Sequence, residues 1–168
     1  AKDDMRKAGK AYREAIALRP DEPVAYFNLG AALFNSAHAV EAAQRYLEAR
    51  ERLPVGSERW ALATAHAFDM LHMQECAAVA KPEWWNDEGL KALSARVVRA
   101  APNDAAGHIM RAAVLTPMID ACTGPRSAAE LREAAAHWER AEALSDMPVV
   151  KADSARRAAA CRGLAAVM

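Results

Sequence analysis

Apolar and small side chains recur along this chain every three or four residues, which is the spacing of one face of an α-helix. In the clearest stretch, Tyr26 and Leu29 precede a short break, and Ala42, Tyr46 and Ala49 follow it. Prolines and polar capping residues bound the periodic stretches. The pattern predicts an all-α chain whose helices span about residues 2–18, 22–35, 41–53, 58–79, 87–100, 104–116, 127–144 and 149–167.

The same marks repeat at a fixed interval along the chain. Two sets of residues stand 34 positions apart: Ala8, Tyr12, Ala15 and Pro20 against Ala42, Tyr46, Ala49 and Pro54. Trp60 stands 34 positions after Tyr26 in the same way. A fixed period of this size indicates a repeat architecture. The chain resembles the tetratricopeptide repeat (TPR) family, most closely over residues 23–54. This resemblance implies an α-solenoid of antiparallel helix pairs.

Two of the repeats are longer than the period of the family. Pro102 closes the third repeat 48 residues after Pro54, so about 14 extra residues are expected between Glu75 and Asp87, with Pro82 ending the preceding helix near residue 80. The fourth repeat carries about ten extra residues around 118–126. The third and fourth units are therefore expected to contain insertions, and the last helix is expected to cap the stack.

The resemblance extends unevenly over residues 1–168, which are expected to form a single TPR-like helical repeat domain. The turn at residues 36–38 lacks the glycine that the family usually has there, and His108 takes the early aromatic position of the fourth repeat. The chain begins at Ala1, with the second helix of a repeat. We therefore expect it to be a fragment of a longer chain.

Composition argues against several classes of function. Lysine plus arginine equals aspartate plus glutamate, at 22 each, so the strongest argument for a nucleic-acid partner is missing. The three cysteines, Cys76, Cys122 and Cys161, are too few and too widely spaced for a disulfide framework, which favours reduced, buried thiols. No apolar run is long enough for a membrane span. The cytoplasm is therefore taken as the default compartment.

Candidate binding residues follow from the resemblance. In the family, the first helices of successive repeats line a concave groove. The corresponding positions here are Val24, Phe27, Asn28, Ala31, Phe34, Asn35, Glu58, Ala61, Ala65, Phe68, Asp69, Ala106, Ile109, Ala113 and Thr116. All three phenylalanines of the chain lie in this set, which suits an apolar or amphipathic peptide. The alternative is that these aromatic rings pack adjacent repeats together.

Other conspicuous residues are assigned structural roles. The adjacent Trp84 and Trp85 either fix the insertion onto a neighbouring helix, which we favour, or anchor a partner. His72 and Cys76 lie four apart on the predicted fourth helix, but zinc requires three or four ligands, so no metal site is expected. Asn28 matches one position of the carboxylate clamp found in some relatives, but the basic positions of that clamp are not matched in this sequence. The basic residues of the last helix suit a solvated face.

No motif for catalysis is found, because the glycines are scattered and no phosphate-binding loop occurs. No cofactor is expected. The sequence predicts a non-catalytic protein–protein interaction module that binds a peptide or partner helix in its groove. Two alternatives stay open: a docking or regulatory arm of a larger enzyme, and a structural subunit of an assembly.

Overall fold

The computed structural model of the chain describes residues 2–117, 119–122 and 124–168. Its described residues form eight α-helices that pack as consecutive antiparallel pairs, which confirms the all-α, TPR-like class. The helices are α1 (Lys2–Leu18), α2 (Pro23–Phe34), α3 (Ala39–Arg52), α4 (Glu58–Leu71), α5 (Asp87–Ala100), α6 (Ala105–Val114), α7 (Ala128–Leu144) and α8 (Pro148–Ala166). None of them is long and apolar enough to cross a membrane.

The chain divides into two compact units, residues 1–80 and residues 81–168. In the first unit α2 packs against α1 and α3, and α3 packs against α4. In the second unit α6 packs against α5 and α7, and α7 packs against α8. The expectation of a single continuous repeat domain stays a prediction.

Small side chains let the helices of the first unit approach closely. Ala42, Ala43 and Ala49 of α3 have no exposed surface, and Ala49 packs in a cluster with Tyr26. Gly30 serves the same purpose in α2, because a Cβ atom there would lie 3.0 Å from Cε1 of Tyr46. The small-residue positions of the repeat pattern are therefore the contact points between helices.

The α2–α3 turn is tight despite the missing glycine. Ala37 adopts a φ of 63°, in the left-handed region that glycine occupies most readily. The backbone N–H of His38 donates to the Leu33 carbonyl at 2.9 Å, which closes the end of α2. A residue other than glycine is thus held in a strained conformation by the hydrogen bonds around it.

The expected length of the fourth helix was wrong. The helix α4 ends at Leu71, and neither residue 79 nor Pro82 marks its end. Met73 is extended, and a short 3₁₀ helix at Gln74–Cys76 then packs against α3, with Cys76 fully buried. Burial of this turn competes with continuation of the helix, and no local stop signal announced it. His72 and Cys76 therefore do not share one helical face.

The insertions are present as long connections. Residues 72–86 join α4 to α5, and residues 115–127 join α6 to α7, with residues 118 and 123 outside those described. The helices after them begin at caps, since Asn86 accepts a hydrogen bond from Gly89 N–H at 2.9 Å and Ser127 forms a capping box with Glu130. Local sequence signals fix these helix starts.

Candidate functional site

A cavity of about 210 Å³ opens between the first turns of α2 and α4. Both turns are fixed by caps: the Glu22 side chain accepts a hydrogen bond from Val24 N–H, and the Ser57 hydroxyl accepts one from Trp60 N–H. Leu53, just after α3, closes the cavity between them. The residues that line it are Pro23, Val24, Phe27, Asn28, Leu53, Arg59 and Leu62.

The floor of the cavity is held by stacked aromatic rings. The Phe27 ring packs edge-on against Tyr46, with centroids 5.3 Å apart, and against His66 at 5.6 Å. Tyr46 and His66 stack at 5.2 Å. Phe27 is half-buried, so its ring both packs adjacent helices and lines the cavity. The packing and groove interpretations of this ring are compatible.

Tyr46 beneath the cavity is a neutral phenol over the physiological pH range. Burial, together with the negative charge of Asp69, raises the pKa of Tyr46 to about 12. The phenol therefore does not act as a general base near neutral pH. Asp69, a predicted site residue, is half-buried and acts on Tyr46 rather than on the cavity.

Two polar side chains accompany the apolar lining. Arg59 is exposed, and Asn28 is half-buried. Within the described part of the chain, neither side chain forms an ion pair or a hydrogen bond. A cation and an amide beside an apolar cavity can recognise an apolar side chain that has a hydrogen-bond acceptor or carboxylate nearby.

The structure brings some of the predicted site residues together and separates others. Val24, Phe27 and Asn28 line the cavity. Phe34 and Asn35 are exposed at the far end of α2. Ala31 lies half-buried between the cavity and that end, and Ile109 is half-buried on α6 of the second unit.

Ala65 and Phe68 are corrections, because both are buried, each with 1% of its surface exposed. The Phe68 ring lies beside His72, with centroids 5.4 Å apart. A large apolar side chain gains more from the core than from an open groove, and α4 turns this face inward. Neither residue offers a partner more than 1% of its surface, and the candidates Ala61, Ala113 and Thr116 are buried as well.

Sequence reasoning missed four residues of the cavity: Pro23, Leu53, Arg59 and Leu62. Arg59 and Leu62 lie in the first two turns of α4, next to the capping Ser57. That cap could have signalled where the open end of the helix lies. The contribution of Leu53 had no such signal, because it depends on how α3 and α4 cross.

Trp84 and Trp85 lie in the connection before α5. Both are half-buried, their ring centroids are 5.8 Å apart, and the Lys81 amine lies 5.3 Å from the centre of the Trp85 ring. The Trp84 backbone packs so closely on α5 that a Cβ atom at Gly89 would lie 2.6 Å from its carbonyl oxygen. This close packing fits the favoured role of fixing the insertion, and a role in partner binding stays a prediction.

A charged network fixes the second insertion. The Arg126 guanidinium, with a side chain only 3% exposed, pairs with Asp87 at 2.6 Å, and Lys91 bridges Asp87 and Glu130 at 3.3 and 2.7 Å. The hydrogen bond from Lys91 and that from the Ser127 backbone lower the pKa of Glu130 to about 2. Burial raises the pKa of the neighbouring Cys122 thiol to about 11, which makes it a poor nucleophile at neutral pH. This network has a structural role.

Among the described residues, no group of three or more histidine, cysteine, aspartate or glutamate side chains is arranged to hold a metal ion. Cys76, Cys122 and Cys161 are all buried thiols, and none of them forms a disulfide in this structure. The site at α2 and α4 therefore offers shape and polarity rather than a metal or a nucleophile.

Comparison with known families agrees with the helix pairing at the start of the chain. Residues 3–36 match the family model of the TPR repeat. The chain carries a TPR repeat there. The match spans α1 and α2, so it includes the helix that contributes Val24, Phe27 and Asn28 to the cavity. A search of curated proteins finds no match to the chain.

A TPR repeat implies a protein–protein interaction module and suggests protein partners. The repeat is typically non-catalytic, and no catalytic domain is identified in the chain.

Proposed function

We propose that the chain binds a peptide or partner helix in the cavity between α2 and α4, without catalysis. The observation that carries this proposal is an apolar cavity floor with two polar side chains beside it. Asn28 lies on α2, which is part of the TPR repeat, and Arg59 lies on α4. The same combination supports a partner whose apolar side chain enters the cavity next to an acidic residue.

The size of the cavity limits what it can hold. Small-molecule pockets usually measure about 300–1,000 Å³. At about 210 Å³, this cavity is smaller and suits one aliphatic or aromatic side chain. A protein segment is therefore a better occupant than a cofactor-sized ligand.

Energetics require a binding site larger than the cavity. Burial of one leucine-sized side chain contributes about 2 kcal/mol, and an ion pair at an exposed arginine contributes about 1 kcal/mol or less. A total of about 3 kcal/mol falls short of even millimolar affinity, which takes about 4 kcal/mol. The partner must therefore continue along α2, where Ala31, Phe34 and Asn35 follow the cavity at helical spacing.

The cavity is preorganised, which lowers the cost of binding. The Phe27 ring is held between α3 and α4 by Tyr46 and His66, so it does not need to be ordered when a partner enters. A docking arm of a larger enzyme would use this site for the same kind of contact, whereas a structural subunit would contact its neighbours through the insertions and the last helix.

A peptide-display selection against the purified chain tests the proposal. We expect the selected peptides to share an apolar residue with an acidic neighbour. Leu62→Glu places a negative charge in the cavity that repels the acidic residue of the peptide, and it should weaken binding of a selected peptide at least about tenfold. Arg59→Glu should weaken this binding about fivefold. Arg19→Glu, an exposed arginine that does not line the cavity, is the matched control and should leave binding unchanged.

Circular dichroism must first establish that each variant keeps its helix content. Equal affinity of the selected peptides for the natural chain, Leu62→Glu and Arg59→Glu would move the binding site away from the cavity. Selected sequences without a shared apolar residue would contradict the proposed partner chemistry.

A further inference from the structure

A buried histidine, His108, meets the half-buried His137 between α6 and α7. The Nδ1 atoms of His108 and His137 are 2.8 Å apart, and the ring centroids are 5.1 Å apart. His108 Nε2 lies 3.0 Å from the Pro102 carbonyl oxygen. His108 is 6% exposed, so water does not replace these contacts. Both nitrogens of His108 are therefore engaged inside the protein.

These contacts fix the positions of the protons. A carbonyl oxygen only accepts hydrogen bonds, so Nε2 of His108 carries the hydrogen that it donates to Pro102. A neutral imidazole has one N–H, which leaves Nδ1 of His108 as an acceptor. His137 must then donate from its own Nδ1 across the 2.8 Å contact. The pair stays matched as long as at least one of the two rings is neutral, because the contact then holds a single Nδ1 hydrogen.

We propose that His108 and His137 form a pH-sensitive joint between α6 and α7, closed while at least one of the two rings is neutral and opened when both rings are protonated. A first proton is accommodated on Nε2 of His137, which lies 3.7 Å from a Glu133 carboxylate oxygen. This proton leaves the Nδ1 donor of His137 in place. A second proton, on Nδ1 of His108, sets two donors and two positive rings against each other.

Burial, His108 and Arg111 together oppose protonation of His137 more than Glu133 favours it. Arg111 on α6 donates to the same Glu133 oxygen at 2.9 and 2.7 Å, and also to the Lys91 carbonyl on α5 at 2.8 Å. Glu133 is thus already neutralised in part. Other charged groups on α7 and α8 have partners of their own: Asp153 with Arg156 and Arg157, Arg162 with Glu139, and Arg140 with Asn103.

The direction of the pH effect follows from these contacts. Burial, and then the neighbouring His108, lower the pKa of His137 below its usual value of 6.5 in the folded chain. The unfolded chain, in which the two rings do not meet, therefore completes the protonation of the pair more readily, and stability that is present above pH about 6.5 is lost as pH falls from there through the lowered pKa of His137. The carboxylates of Asp87 and Glu130 have lowered pKa values, so their contribution is lost only at more acidic pH, below about 4.5.

Thermal unfolding between pH 8 and 5 tests the joint. We expect the melting temperature of the natural chain to fall by about 3 °C or more between pH 7.5 and 5.5. His137→Gln keeps an amide that can either donate to or accept from His108, so its melting temperature should change less over this range. His38→Gln, which removes an exposed histidine, is the matched control and should follow the natural chain.

Amide hydrogen exchange locates the effect, and we expect α6 and α7 to exchange faster at pH 5.5 than at pH 7.5 after correction for the intrinsic rate. Identical pH profiles of the natural chain, His137→Gln and His38→Gln would overturn the proposal. The nitrogen-15 chemical shifts of the natural chain give a second test that does not depend on whether a variant folds. Nitrogen-15 shifts at pH 8 should place the His108 proton on Nε2 and the His137 proton on Nδ1, and any other assignment would also overturn the proposal.

Discussion

Replacement of Arg126 by methionine should destabilise the chain by about 3 kcal/mol. The Arg126 guanidinium is the centre of the second insertion: its Nη2 donates to Asp87 at 2.6 Å, to the Val114 carbonyl at 3.1 Å and to the Cys122 carbonyl at 3.2 Å. These contacts join the start of α5, the end of α6 and the connection to α7. Methionine keeps the length and apolar stem of the side chain but makes none of them.

The magnitude follows from what each partner loses. Removing one member of a buried ion pair costs about 3–5 kcal/mol. Asp87 is 32% exposed and keeps Lys91 at 3.3 Å, so its charge is not stranded, which favours the lower end of that range. The two carbonyls that lose a donor cost about 1–3 kcal/mol each if water does not reach them. Within the described parts of the chain, the buried Nε of Arg126 has no hydrogen-bond partner, so its removal offsets part of this loss.

Urea unfolding at pH 7, followed by far-ultraviolet circular dichroism, measures the change in the free energy of unfolding. Arg132→Met, an exposed arginine on α7, is the matched control and should change this free energy by about 0.5 kcal/mol or less. The double variant Arg126→Met/Asp87→Asn should be no less stable than Arg126→Met alone, because the two residues act as one unit. A loss for Arg126→Met that equals the control would refute the reasoning.

Three further predictions concern helix contact, the strained turn and acid stability. Gly30→Ala should destabilise by about 1 kcal/mol in urea unfolding, because crowding against the fixed Tyr46 ring outweighs the gain in helix propensity, and a stabilised variant would contradict the contact. Ala37→Gly should stabilise by up to about 1 kcal/mol in the same assay, since glycine tolerates a φ of 63°, and a loss would argue against this turn. The pKa of Glu130 lies at about 2 in the folded chain, below its ordinary value of 4.5, so stability present above pH 4.5 should be lost between pH 4.5 and 2. Glu130→Gln should lose less stability in that window, and an unchanged pH profile would exclude the ion pair with Lys91.

The helices could be predicted from sequence because their signals are local. Apolar periodicity and caps located seven of the eight helices to within a few residues. The end of α4 could not be found this way, because burial of Cys76 in the turn after it depends on contact with α3. The missing stop signal is a case of tertiary packing that overrides helix propensity.

The candidate site could be predicted only in part. The family pattern named Val24, Phe27 and Asn28 among the candidate residues, and all three line the cavity. The same family pattern also selected Phe68, but this ring is buried in the core. A pattern that repeats along the chain assigns positions to helix faces, but it does not say how far each face is covered.

Contacts between distant residues lay beyond sequence reasoning altogether. The histidine pair joins positions 29 residues apart, and the Arg126–Asp87 pair joins positions 39 residues apart. The sequence around these residues does not single out either pair, since a single arginine in a loop or a histidine in a helix is ordinary. Such pairs form because the fold brings them together, so they appear only with the structure.

The central claim is that partners bind at the cavity between α2 and α4. The most direct test is to map the amide chemical-shift changes of the nitrogen-15-labelled chain as a display-selected peptide is added. We expect the largest chemical-shift changes at Val24, Asn28 and Leu62, with further changes along α2. Changes concentrated at Trp84 and Trp85, or on α8, with α2 unaffected, would contradict it.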